Sequence, residues 1–227
     1  MRRRFGRGLL AAFVVAVFSG CLVPASAAPV LPTQDPFYRY TGTTPLATIA
    51  PGTVLKKRAV QVALGSSQTP IPAEQLLYRT QGELGAPTVT VTTVLLPTIA
   101  KLPARIVGYL SFYDALGAQC DPSYTLTGGS PGAPNEQQAE IEQGFVLGYL
   151  ANGFVVTVPD FEGENLEWTA GHEAGYDSLD AIKATESYLH LPTTTKVGLS
   201  GYSGGSIAAR CTTACAYVGS TVAASSR

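Results

Sequence analysis

The segment Lys196-Val197-Gly198-Leu199-Ser200-Gly201-Tyr202-Ser203-Gly204-Gly205-Ser206 constrains this chain more than any other, because a short strand pattern runs through G-x-S-x-G into a helical start at Ile207-Ala208-Ala209-Arg210. A serine at such a strand-to-helix bend sits in strained backbone that lifts its hydroxyl above a sheet, and only small neighbours fit beside it. Gly201 and Gly205 supply that room. The serine, Ser203, also stands at a helix N-terminus, where free N–H groups and the helix dipole favour a developing negative charge, so the Gly204 N–H is a candidate oxyanion donor. In a chain with 24 glycines a bare G-x-S-x-G is a weak signal, and its weight comes from the strand, serine, helix context.

Upstream, the order of elements agrees with that context. Arg105 to Phe112 is a strand pattern, a loop with Asp114, Cys120 and Gly128-Gly129 follows, and Asn135 is a fair N-cap for a helix through Ala151. Phe154 to Val158 is a nearly pure apolar run, as expected of a strand buried on both faces. Glu173 to Leu189 reads as a helix with Leu179, Ile182 and Leu189 on its apolar stripe and Lys183 and Glu186 off it, ended by Leu191-Pro192. Strands alternating with helices imply parallel pairing through crossovers. Before this, Ala59 to Leu64, Leu76 to Gln81 and Thr88 to Leu96 read as antiparallel strands, with turns at Pro70-Ile71-Pro72 and Gly82 to Gly85. The expected fold is α/β, an α/β-hydrolase core with a mixed, mostly parallel sheet, at residues 59–210. Residues 29–58, rich in Pro and Thr at their start, read as an extended arm.

Residues 1–28 concern address. Arg2, Arg3, Arg4 and Arg7 precede the apolar run Leu9 to Phe18, and Ala25-Ser26-Ala27 is a cleavage pattern, so a secretory signal peptide ending near residue 27 is expected. A retained anchor would need about 20 apolar residues, and lipidation at Cys21 is the lesser alternative. Removing those four basic residues from the 15 Lys and Arg, against 16 Asp and Glu, leaves a net charge near −5, which offers nothing to nucleic acid. With 45% hydrophobic and 14% charged residues the chain is globular rather than disordered. Export favours paired thiols, yet Cys120, Cys211 and Cys215 are an odd set. Cys211 and Cys215, four apart on a helix, are poorly aimed for a disulfide, and C-x3-C without histidine is a weak metal signal; no metal or cofactor is expected.

Five stretches, Asp35-Pro36-Phe37-Tyr38, Ser111-Phe112-Tyr113-Asp114, Cys120-Asp121-Pro122-Ser123-Tyr124, Val158-Pro159-Asp160-Phe161-Glu162-Gly163 and Gly201 to Gly205, resemble the secretory lipases, the lipase A-like triacylglycerol lipases and esterases. The resemblance covers most of Asp35 to Arg210. It implies a secreted ester hydrolase with Ser203 as nucleophile and an oxyanion hole shared by Gly204 and Asp114, the aspartate just after the third core strand. The fold places a second oxyanion donor in the loop after that strand, in agreement. A side-chain donor must be protonated, which burial would favour; the alternative for Asp114 is a solvated turn residue.

In this fold the triad acid and histidine follow the serine, yet none of the 24 residues after Ser203 is Asp, Glu or His. The expectation is therefore a core truncated at its C-terminus, lacking later strands, the cap and the acid and histidine loops, with residues 211–227 an atypical tail. His190 belongs at the opposite sheet edge. His172 belongs at the same edge as Ser203, with a structural role in opening the helix as the competing reading. Asp160 and Glu162 share that edge and could orient His172 or line the site, although the resemblance makes them structural. The expected partner is a lipid or ester substrate with transient contact at a lipid interface, and no protein partner. Two other functions stay open: a non-catalytic remnant or binding module, and another serine acyl enzyme such as a peptidase or acyltransferase.

Overall fold

The computed structural model describes residues 29–65, 67–129 and 136–225. The expected signal peptide, with Cys21, and the expected N-cap Asn135 lie outside the described residues. Six strands, β1 (Val54–Leu64), β2 (Ser67–Gln81), β3 (Pro87–Leu95), β4 (Arg105–Leu110), β5 (Val155–Pro159) and β6 (Lys196–Gly201), form one sheet in the order β1-β2-β3-β5-β4-β6. Helices α1 (Pro122–Thr125), α2 (Glu136–Ala151), α3 (Gly171–Tyr188) and α4 (Gly204–Ser225), with short 3-10 turns at Pro36–Tyr38, Leu46–Thr48 and Ala118–Cys120, complete the described elements.

The sheet is mixed, but it is not mostly parallel. β1–β2, β2–β3 and β3–β5 pair antiparallel, and only β4–β5 and β4–β6 pair parallel. Connection length explains the division. β1, β2 and β3 are joined by short turns that can only reverse the chain, whereas β4, β5 and β6 are separated by α2 and α3, long enough for crossovers.

β1 begins at Val54 rather than residue 59, so the arm is shorter than expected, and β2 runs straight through Pro70 and Pro72, where a turn was expected. The β2–β3 ladder ends at the pair Ala73 and Leu95, with one last bond from the Leu96 N–H to the Pro72 carbonyl at 2.9 Å, so Pro72 stands at the end of that ladder and Pro70 beyond it. A missing N–H at or beyond the end of a ladder interrupts no run of paired bonds. The arm is tied down at its motif. Asp35 accepts a hydrogen bond from the Phe37 N–H at 2.9 Å and pairs with Arg58 at 2.5 Å, while the Arg58 guanidinium lies 4.1 Å from the Phe37 ring centroid.

Alternation along β5 divides the core. Val156 and Val158 face α2, packing with Val62, Leu95, Tyr109, Val146 and Leu150. Val155 faces α3, where Leu76, Tyr78, Val94 and Ile106 meet Ala181 and Ala184. Each large apolar side chain buried in these two layers contributes about 1.5–3 kcal/mol. The α3 face is made of small residues, so the helix lies close to the sheet, and its inner surface is partly polar. The Tyr78 hydroxyl donates to the Asp177 carbonyl and the Thr80 hydroxyl to the Asp177 carboxylate, both at 2.8 Å. Glu186, expected on the wet face, is 8% exposed, and Leu179 is only half-buried. α4 crosses the expected boundary at residue 211 without a break and packs along α3. Cys120, Cys211 and Cys215 are all unpaired.

Candidate active site

Ser203 sits at the bend between β6 and α4 with φ +52°. That left-handed conformation costs a non-glycine residue roughly 1–2 kcal/mol, and tight packing around the bend holds it. A Cβ on Gly201 would strike the Gly205 carbonyl, and a Cβ on Gly205 would strike the Leu110 carbonyl at the end of β4. Both expected elbow glycines are therefore required by close backbone approach. The Ser206 N–H closes the first turn onto the Ser203 carbonyl at 2.9 Å, and the serine itself is exposed.

Asp114, also at positive φ, lies in the loop after β4, with its carboxyl group against Gly204: a Cβ on Gly204 would collide with it. The structure thus brings Asp114, Ser203 and Gly204 together at the mouth of a cleft of about 340 Å³. The loop is anchored on both sides. The Tyr113 hydroxyl accepts from the Glu162 N–H at 2.8 Å, and the Phe112 ring meets the Tyr202 ring edge-to-face at 5.8 Å.

The far wall of the cleft comes from the β5–α3 loop, with Phe161, Glu162, Glu167, Trp168 and Thr169, and from the first turn of α4, with Ile207. Trp168 and Ile207 are 53% and 49% exposed, an apolar lining at the opening. Sequence reasoning missed this wall. Its signal was faint, a lone tryptophan in a polar loop whose Leu166 and Thr169 both take positive φ.

His172 is not part of the cleft lining. Its Nδ1 lies 3.0 Å from Glu83 of the β2–β3 turn, and the other oxygen of that carboxylate accepts the His172 and Glu173 N–H groups at 2.9 and 3.1 Å. Glu83 thus caps α3, satisfying two donors that a helix start leaves open, and His172 is 72% exposed beside it. His190 ends α3 with φ +54° and is separated from Ser203 by the whole of β6, roughly 20 Å of strand. Among the described residues no histidine hydrogen-bonds the Ser203 hydroxyl.

Asp160 does not reach His172 either. It is buried and accepts from the Ser123 N–H at 2.8 Å and the Ser123 hydroxyl at 2.5 Å; burial pushes its carboxyl up to about 7 despite those bonds. Glu162 is 2% exposed, and its carboxylate, without a side-chain hydrogen-bond partner among the described residues, lies beside the Ala115 backbone N–H. Burial pushes it up to about 7, and the neighbouring Asp114 and Asp160 carboxylates add to the shift. Among the described residues no group of His, Cys, Asp and Glu could hold a metal ion.

Residues 133–220 match the family model of the secretory lipases. A probable inactive lipase of Mycobacterium tuberculosis is 40% identical over 187 residues, 79% of this chain and 41% of that protein. Lipase A of Moesziomyces aphidis is 36% identical over 177 residues, 77% of this chain and 37% of that protein. The chain belongs with the secretory lipases. Among solved structures, Candida antarctica lipase A in its closed state superposes with a TM-score of 0.74 at 34% identity, covering 82% of this chain and 43% of that one. The core is accordingly an α/β-hydrolase core. This secretory-lipase chain spans about two fifths of the length of the curated relatives it matches, and the family match runs to residue 220, ten residues past Arg210, where the resemblance was expected to stop.

Proposed function

We propose that these residues form the nucleophile and oxyanion half of a secreted serine ester hydrolase of the triacylglycerol-lipase type. The observation that carries the reading is the meeting of Ser203, at φ +52°, with Gly204 and the Asp114 carboxyl group at the mouth of one cleft. In the reaction the Ser203 Oγ bonds to the ester carbonyl carbon, and the carbonyl π electrons move onto oxygen. The Gly204 N–H stabilises that oxyanion, and the Asp114 side chain, exposed at the cleft mouth, stands beside it as the second group of the hole; the alcohol then leaves, taking a proton, and water releases the acid. Such hydrogen bonds strengthen as charge develops, which is how they lower the barrier.

The proton of Ser203 needs an acceptor. In serine hydrolases that acceptor is a histidine oriented by an acid, and neither His172 nor His190 is at the serine. Loss of the base costs on the order of 10⁶ in turnover, so the 227-residue polypeptide alone turns over esters very slowly. That supports a second reading, an acyl-binding unit with little catalysis of its own. Trp168 and Ile207, with the 75% exposed Tyr202 next to the serine, support contact with a lipid surface.

An alkyl fluorophosphonate tests the reading, with the site of attachment mapped by mass spectrometry. Slow modification confined to Ser203 and lost in Ser203→Ala is expected. Modification spread over other serines, unchanged in Ser203→Ala, would overturn it.

A further inference from the structure

α2 lies away from the cleft, yet one of its carboxylates reaches the loop that carries Asp114. Glu142, 8% exposed, accepts from the Ser111 hydroxyl at 2.7 Å, the Phe112 N–H at 2.9 Å and the Tyr109 hydroxyl at 3.2 Å. One turn earlier on the same helix, Gln138 donates its amide N–H to the Phe112 carbonyl. Residues four apart on a helix share a face, so α2 grips both backbone polar groups of Phe112. The Phe112 ring, in turn, packs on Tyr202 beside the nucleophile, and Asp114 stands two residues further on. Few arrangements hold a loop of φ-strained backbone more firmly than a buried carboxylate with three donors.

We propose that Glu142 is a positioning residue for acyl transfer, its buried carboxylate holding Ser111 and Phe112 so that the Asp114 carboxyl group stays against Gly204. Without it the hole loses one wall while the apolar cleft, built from the β5–α3 loop and α4, keeps its shape. This rests on the reading of Asp114 and Gly204 as the oxyanion hole.

Octylboronic acid tests it in the 227-residue chain. Its boron accepts the Ser203 Oγ as a fourth ligand, the hydroxyl proton passes to water, and a boron-bound oxygen of the resulting anion occupies the oxyanion position. 1-Octanol fills the same apolar cleft without forming that adduct. Trp168, the single tryptophan, lines the cleft, so its fluorescence reports both ligands. Glu142→Ala is expected to weaken octylboronate by about tenfold or more, the scale of a disabled oxyanion donor, with octanol unchanged. Glu142→Gln keeps an oxygen for the Phe112 N–H and should retain most of the affinity. Ser111→Ala, a milder change that serves if Glu142→Ala does not fold, should cost roughly threefold, the scale of one hydrogen bond. Equal losses for both ligands, or none for either, would overturn the proposal and leave the reading of Ser203 intact. Octylboronate affinity unchanged in Ser203→Ala would instead overturn that reading, and the role of Glu142 with it.

Discussion

The two sides of Ser203 are built to different standards. On the side of the proposed oxyanion hole, β4, α2, β5 and the start of α4 converge, and every residue from Ser111 to Asp114 is held: by Glu142, by Tyr202, by the Glu162 N–H or against Gly204. On the proton-transfer side the described residues offer nothing comparable, since the histidine nearest in sequence to the cleft is turned outward to Glu83. Under the proposed function the contrast separates two tasks, stabilising a charge and moving a proton. In the proposed reading the first falls to the Gly204 N–H and to Asp114, on a loop held by Glu142 and the Glu162 N–H, while the second needs side chains brought from elsewhere in a fold of this kind.

The built side can be broken most completely at Gly205. Gly205→Val places side-chain atoms on the Leu110 and Ser111 carbonyls, and we expect a loss of about 3 kcal/mol or more in urea unfolding, the upper range for overpacking, together with loss of Ser203 labelling. A smaller change, Asp114→Ala, removes the second group of the proposed hole and should slow Ser203 modification about 10²-fold while leaving the melting temperature nearly unchanged. An unaltered rate would mean that Gly204 works alone.

Next comes pH, which should mark the buried carboxyls around the cleft. Asp160, Glu162 and Glu173 are each pushed up to about 7, in every case chiefly by burial. Groups raised above their unfolded values bind protons more tightly when folded, so their stabilisation is complete below about pH 4 and is lost as pH rises through 7. The melting temperature should therefore fall between pH 5 and pH 8, by roughly 4–8 °C for a loss of about 2 kcal/mol, and the fall should shrink in Glu162→Gln. A flat or rising profile would contradict the burial of these groups. The smallest effect belongs to the other side. His172→Ala should change Ser203 labelling less than about twofold and cost no more than about 1 kcal/mol, as befits an exposed ion pair.

What could be read from the sequence was local. The elbow is legible because its strain, its glycines and its helix start lie within a few consecutive residues, and β5 is legible because burial on both faces demands an apolar run. Reading failed where a residue's environment is set by a distant partner. Pro70 and Pro72 look like a turn until β3 is seen to end beside Ala73. Glu186 looks like a solvated helix charge until the small-residue face of α3 is found against the sheet. His172 faces Glu83, 89 positions away. Glu142 left a trace that helical spacing alone could have raised: it falls on the stripe of Val146 and Leu150, both buried, and a carboxylate there requires donors from another element.

The most direct test is a crystal structure of the 227-residue chain with octylboronic acid bound. The account predicts tetrahedral boron on the Ser203 Oγ, with one boron-bound oxygen within hydrogen-bonding distance of both the Gly204 N–H and the Asp114 carboxyl group. Boron attached elsewhere, or bound at Ser203 with that oxygen turned to solvent away from both groups, would contradict it.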